Sequence, residues 1–120
     1  MRYWTELARY EREGFEVIVD TSWEDCHPSE LFDETSWDIA DICEKIDRGI
    51  YDWFMLRARA MLDGHELGSH VVGGFLYEDA RETLTDGTAE DCIYAALQEA
   101  QAEARKLIGS LQRVIDTASV

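Results

Sequence analysis

From Trp53 to Tyr77 the chain reads as two strand-forming runs separated by Asp63-Gly64. Alternation at period two marks a half-buried strand. Asp-Gly suits a two-residue type I′ turn, which needs positive φ at both central positions. The pattern predicts a hairpin of strands 53–62 and 65–77. Folding at this turn sets Leu62 opposite His65, Ala60 opposite Leu67, Ala58 opposite Ser69 and Leu56 opposite Val71. Phe54, Leu56, Ala58, Ala60, Leu67 and Val71 then share a small apolar face fit to lie beneath a helix. Met55, Arg57, Arg59, Met61, Glu66, His70 and Val72 share the mixed face, and Gly73-Gly74 marks a bulge or a close backbone contact.

Periodicity supplies the other elements. Phe15 to Asp20 alternates and is rich in β-branched residues, which predicts a strand over 15–20 with Phe15, Val17 and Val19 inward. Residues 2–13 read as a helix with Trp4, Leu7, Ala8 and Tyr10 as its stripe and Gly14 as its end. Residues 36–48 read as an amphipathic helix on Ile39, Ile42, Cys43 and Ile46, capped by Thr35 with Asp38 and ended by Gly49. Short helical turns are expected at 28–32 and 80–84. The longest helix, 89–116, starts from Thr88 with Asp91 three residues on; its stripe runs from Ile93 through Ala100 and Leu107 to Val114. At 1.5 Å per residue it spans on the order of 40 Å, against roughly 35 Å for a globule of this size. Its last turns overhang, fray or pack on a second copy. The predicted fold is α+β: one domain over 1–120, with helices packed on a three-stranded antiparallel sheet.

Composition changes the picture through charge. The 120 residues carry a formal charge of −15. Asp20 to Asp52 nets −9, and so does Asp63 to Glu103, where Arg81 is the only base. Such a field repels nucleic acid and anionic membranes and attracts basic protein surfaces. The N-terminus is charged where a signal peptide needs an apolar run, and no apolar run is long enough to span a bilayer. Three widely spaced cysteines do not make a disulfide framework, which fits a reducing cytoplasm.

Chemistry is sparse. Cys26-His27, Cys43, His65, His70 and Cys92 show no metal-ligand spacing, and Cys43 and Cys92 sit on apolar stripes as small core residues. Ser69 and His70 are neighbours in a strand and point to opposite faces, so they form no nucleophile–base pair. No cofactor motif is present, and the expectation is a protein that is not an enzyme. Among the tryptophans, Trp4, Trp37 and Trp53 fit packing roles, while Trp23 lies in an acidic loop as an exposed anchor.

The acidic surface therefore carries the functional expectation, with solubility or salt adaptation as its plain alternative. Duplex DNA bears one charge per roughly 1.7 Å, so −15 corresponds to about 25 Å of duplex. Carboxylates three and four apart on a helix lie about 5–6 Å apart, near the spacing of neighbouring phosphates. The candidate partner-binding residues are Glu30, Asp33, Glu34, Asp38, Asp41, Asp47, Glu78, Asp79, Glu82, Asp86, Glu90 and Asp91, with Trp23.

The run Trp53-Phe54, Arg57, Gly64, Leu67-Gly68-Ser69, Gly73-Gly74 and Tyr77-Glu78 resembles a pattern in small acidic proteins of phages, plasmids and integrated elements. Several of those sit among anti-defence genes. In length and charge the chain is also similar to phage antirestriction DNA mimics and to some anti-CRISPR proteins, although the best-known antirestriction mimic is all-helical. The resemblance implies a mobile-element inhibitor in the cytoplasm of a bacterial host. Its partner would be a basic nucleic-acid-binding complex of a defence system, blocked by DNA mimicry without direct nucleic-acid binding. The alternative is a small regulatory or interaction protein, dimeric through the long helix.

Overall fold

Glu13 and Gly14 both adopt positive φ, at 53° and 86°, and this turn decides the architecture. The computed structural model describes residues 2–118. In it the chain reverses at Glu13-Gly14, so that Thr5–Arg12 forms strand β1 against β2, Phe15–Trp23. The helix expected over 2–13 is therefore a strand. Gly14 is the second residue of a tight hairpin turn rather than a helix C-cap, and strand pairing overrides the helical reading of Leu7, Ala8 and Tyr10. Strands β3, Asp52–Leu62, and β4, His65–Tyr77, complete a four-stranded antiparallel sheet in the order β1-β2-β3-β4. The fold is α+β with four strands, not three.

The hairpin turn at Asp63-Gly64 has φ of 51° and 81°, as its sequence demands. Its register departs from the expected one. Leu62 faces His65 and Met61 faces Glu66, but Ala60 pairs with Gly68, so Leu67 is left as an extra residue. That bulge shifts every later pair by one. Ala58 faces His70, Leu56 faces Val72, and Arg57 faces Val71. Because side chains alternate, the slip moves Val71 to the mixed face and brings His70 and Val72 to the helix side. A second irregularity falls between Phe54 and Leu56, where Gly73-Gly74 lies opposite, and Gly74 has φ of 79°.

Helix α1 is Ile39–Asp47, three residues shorter at its start than the pattern suggests. Asp38, not Thr35, is the N-cap: its carboxylate accepts the Asp41 amide at 3.1 Å. Asp33 takes the Thr35 amide and hydroxyl at 2.9 and 2.7 Å and closes a separate turn. Short 3₁₀ turns at Pro28–Glu30 and Ala80–Leu84 flank the strand ends.

Helix α2, Thr88–Ala118, covers one face of the sheet. Ala89, Cys92, Ile93, Ala96, Leu97 and Ala100 are buried against Phe15, Val17, Val19, Phe54, Leu56, Ala58 and Ala60. Full burial of a residue such as Ile93 or Leu56 is worth about 1.5–3 kcal/mol. The helix runs antiparallel to β4. Tyr77 Oη lies 3.0 Å from Thr88 Oγ1, Cys92 Sγ contacts the His70 carbonyl at 3.2 Å, and Ala96 and Ala100 sit on Gly68. Gly68 is only three residues from His65, where β4 begins, but the helix, running the opposite way, continues for 18 residues past Ala100. This arm gives the molecule extents of 69 × 26 × 24 Å and a radius of gyration of 18.7 Å, against about 13–14 Å for a compact chain of this length.

Candidate functional site

Antiparallel topology puts four chain segments at one end of the sheet: β2 leaves there, β3 enters, β4 leaves and α2 enters. The two connections between them, residues 24–51 and 78–87, hold most of the charge. Residues 24–52 contain ten carboxylates against Lys45 and Arg48, and residues 77–91 contain six against Arg81. Together they net −13 of the chain's −15. The acidity is therefore polarised to one end rather than spread over the surface, which sequence alone did not reveal.

Side-chain hydrogen bonds pin both connections to the strands. Trp53 Nε1 donates to the Cys26 carbonyl at 2.8 Å, and Glu24 accepts the Gly74 amide at 2.8 Å. Asp52 accepts the Ala80 amide at 3.0 Å. Tyr77 Oη donates to Asp86 at 2.5 Å, and the same carboxylate accepts the Thr88 amide at 2.9 Å, capping α2. At the far side, Arg12 of β1 clasps Glu90 through two 2.9 Å bonds, so the sheet wraps far enough for its edge strand to reach the start of α2.

All the expected acidic residues lie on this end and, apart from half-buried Asp79, are exposed. They divide by what else they do. Asp33, Asp38 and Asp86 hold turns and caps. Asp41 pairs with Lys45 at 2.9 Å, Asp79 with Arg81 at 2.8 Å and Glu90 with Arg12. Glu30 accepts the Cys26 thiol at 2.7 Å. Among the described residues, the carboxylates of Glu34, Asp47, Glu78, Glu82 and Asp91 make no hydrogen bond or ion pair, so they are the ones free for a partner.

Hydrogen bonding keeps this end ionised. The Arg81 guanidinium holds Asp79 below the usual carboxylate range, and the Arg12 guanidinium does the same for Glu90. The Tyr77 hydroxyl lowers Asp86, the Thr35 amide lowers Asp33, and the Cys26 thiol lowers Glu30. Each bond favours the charged form.

Trp23 is exposed, as expected, and Trp37 is equally so. The Nε1 of Trp23 donates to Asp25 at 3.0 Å and Arg2, which also pairs with Asp25, lies against its ring. Trp37, expected to be packed, is 50% exposed, and Leu31 is exposed at 53%. Its ring meets Phe32 at 5.2 Å, and Phe32 meets Trp53 at 5.7 Å. Trp37 immediately precedes the Asp38 cap, so identifying the cap would have placed it outside the helix.

Cys43 is half-buried rather than a core residue: its sulfur lies 3.6 Å from His27 Nε2. The pair is not set up as nucleophile and base. His27 Nδ1 accepts the Ser29 amide at 3.1 Å, which leaves the proton of the neutral ring on Nε2, the atom facing the thiol. Among the described residues no three of His, Cys, Asp and Glu are grouped to hold a metal ion. A cavity of about 320 Å³ lies between β4 and α2, lined by Leu56, His70, Val72, Phe75, Thr88, Asp91 and Cys92. No described helix is long and apolar enough to cross a membrane. The chain matches no protein-family model, no curated protein and no solved structure.

Proposed function

We propose that the protein is a non-enzymatic inhibitor whose acidic end occupies a basic nucleic-acid-binding surface of a bacterial defence complex. The observation that carries this reading is the net charge of −13 on residues 24–52 and 77–91, the two connections with the strand and helix ends beside them, at one end of the sheet, with the opposite arm slightly basic. On the phosphate scale that charge equals about 22 Å of duplex. Exposed Trp37, stacked on Phe32 within the acidic 24–52 segment, adds an apolar anchor, as interface hot spots do. The target is a DNA-binding subunit of a CRISPR or restriction system, met in the host cytoplasm and blocked by charge and shape.

The test is a tagged pull-down from a bacterium with active CRISPR and restriction systems, at low and high salt, with and without excess duplex DNA. The expected result is capture of a DNA-binding defence subunit that both salt and duplex DNA release. Changing Glu34, Asp47, Glu78 and Glu82 together to lysine abolishes capture without lowering the melting temperature, because none of these side chains supports the fold. Capture indifferent to salt, to DNA and to the quadruple variant would overturn mimicry.

A second reading, a small interaction protein that dimerises through α2, draws on the uncovered arm and is compatible with the first. A partner held through that arm would ignore salt and require its apolar side chains.

A further inference from the structure

One hydrophobic seam runs the full length of α2. Ile93, Leu97, Ala100, Ala104, Leu107, Leu111, Val114 and Ala118 follow each other at alternating steps of four and three, the spacing of a coiled-coil seam. The first three members are buried on the sheet. From Leu107 onward the same line is exposed: Leu107 at 37%, Leu111 at 58% and Val114 at 65%, with Ile108 beside it at 67%. A seam that keeps a seven-residue period after leaving its sheet is shaped for another helix, not for a strand or a loop.

We propose that the partner helix is the same arm of a second copy, packed antiparallel. Two features argue for a second copy. Leu107, Ile108, Leu111 and Val114 expose roughly 400 Å² per arm, and with the stems of Arg105 and Gln112 on the flank mutual burial reaches about 1,000 Å², where specific interfaces begin. The arm is also a stretch that the acidic body of another copy does not repel: residues 101–118 net +1, while the rest of the chain nets −16. Orientation follows from the same charges. Parallel arms would set two −16 bodies side by side, whereas antiparallel arms place them at opposite ends. The dimer is then about 110 Å long, two 69 Å protomers overlapping over an 18-residue arm of about 27 Å. It points an acidic end outward at each extremity and so presents two equivalent ends to partners.

Light scattering coupled to size exclusion, with small-angle X-ray scattering on the eluting peak, tests this on the purified full chain. The expected mass is twice 13.8 kDa, with a maximum dimension near 110 Å. Leu111→Glu and, separately, Ile108→Glu are exposed substitutions that halve the mass and bring the maximum dimension to about 70 Å with the circular dichroism spectrum unchanged. A wild-type monomer at 200 µM would overturn the proposal. So would a dimer no longer than a protomer, or one that survives both substitutions.

Discussion

Asp20 and Arg57 face each other across β2 and β3, joined by two bonds of 2.8 and 2.7 Å, and Asp20 is only 2% exposed. Arg59 adds a third bond at 3.2 Å, and the Arg57 guanidinium lies 4.0 Å over the Trp4 ring. This cluster occupies the sheet face turned away from α2. Among the described residues, Asp20 is thus the one buried carboxylate, and it neutralises two arginines inside the fold rather than charging the surface.

Removing it strips the half-buried Arg57 of its hydrogen-bonded counter-charge and leaves Arg59 only its longer-range attraction to Glu6. Asp20→Ala should cost about 3 kcal/mol, the lower part of the range for breaking a buried pair because the arginines keep some solvent contact. Urea unfolding followed by circular dichroism measures this. A loss under 1 kcal/mol would mean the cluster is solvated and structurally idle.

Gly68 is where α2 rests on the sheet. A Cβ there would press into the Ala96 carbonyl and come within 2.6 Å of the Ala100 nitrogen, both rigid backbone. Gly68→Ala should force the helix away and destabilise by about 2–3 kcal/mol, the upper part of the range for overpacking. The control is Gly109→Ala in the exposed arm, where a Cβ has room and alanine should favour the helix. Equal melting temperatures for the two variants would contradict this packing.

Acid should weaken the fold through Glu90 and Asp86, whose folded-state pKa values are depressed by Arg12 and by the Tyr77 hydroxyl respectively. A depressed pKa contributes stability that is fully present above the unfolded value and is lost as pH falls through the folded one. With unfolded values of about 4.3 and 3.9, the melting temperature should hold between pH 5 and 8 as far as these groups are concerned and drop below about pH 4. Glu90→Gln removes its share, so its acid-side slope is shallower than that of the wild type. An unchanged slope would assign the acid loss to other groups.

Thiol reactivity should single out Cys43. Glu30 pushes the Cys26 thiol up to about 11, and burial pushes Cys92 up to about 11, so neither supplies much thiolate at pH 8. Ellman's reagent should therefore give one fast thiol per chain, and Cys43→Ser should remove that phase. A fast phase that persists in this variant would place the reactive sulfur elsewhere.

What the sequence determined by itself is local. Asp63-Gly64 demanded its turn, Phe15, Val17 and Val19 their inward face, Gly73-Gly74 its bulge, and the α2 stripe its long helix, because each depends on neighbours within a few residues. The excess of carboxylates was equally plain. Tertiary structure decided the rest. Residues 5–12 became a strand because an edge of β2 was there to pair with, a gain the short helical stripe of Trp4, Leu7, Ala8 and Tyr10 could not match. The extra residue at Leu67 set which of His70 and Val71 faces the helix, since a one-residue slip exchanges the two faces. The charge became concentrated only when the antiparallel order brought 24–52 and 77–91 to one end. That juxtaposition joins segments some fifty residues apart and is fixed by pairing between strands, which no short window of sequence contains.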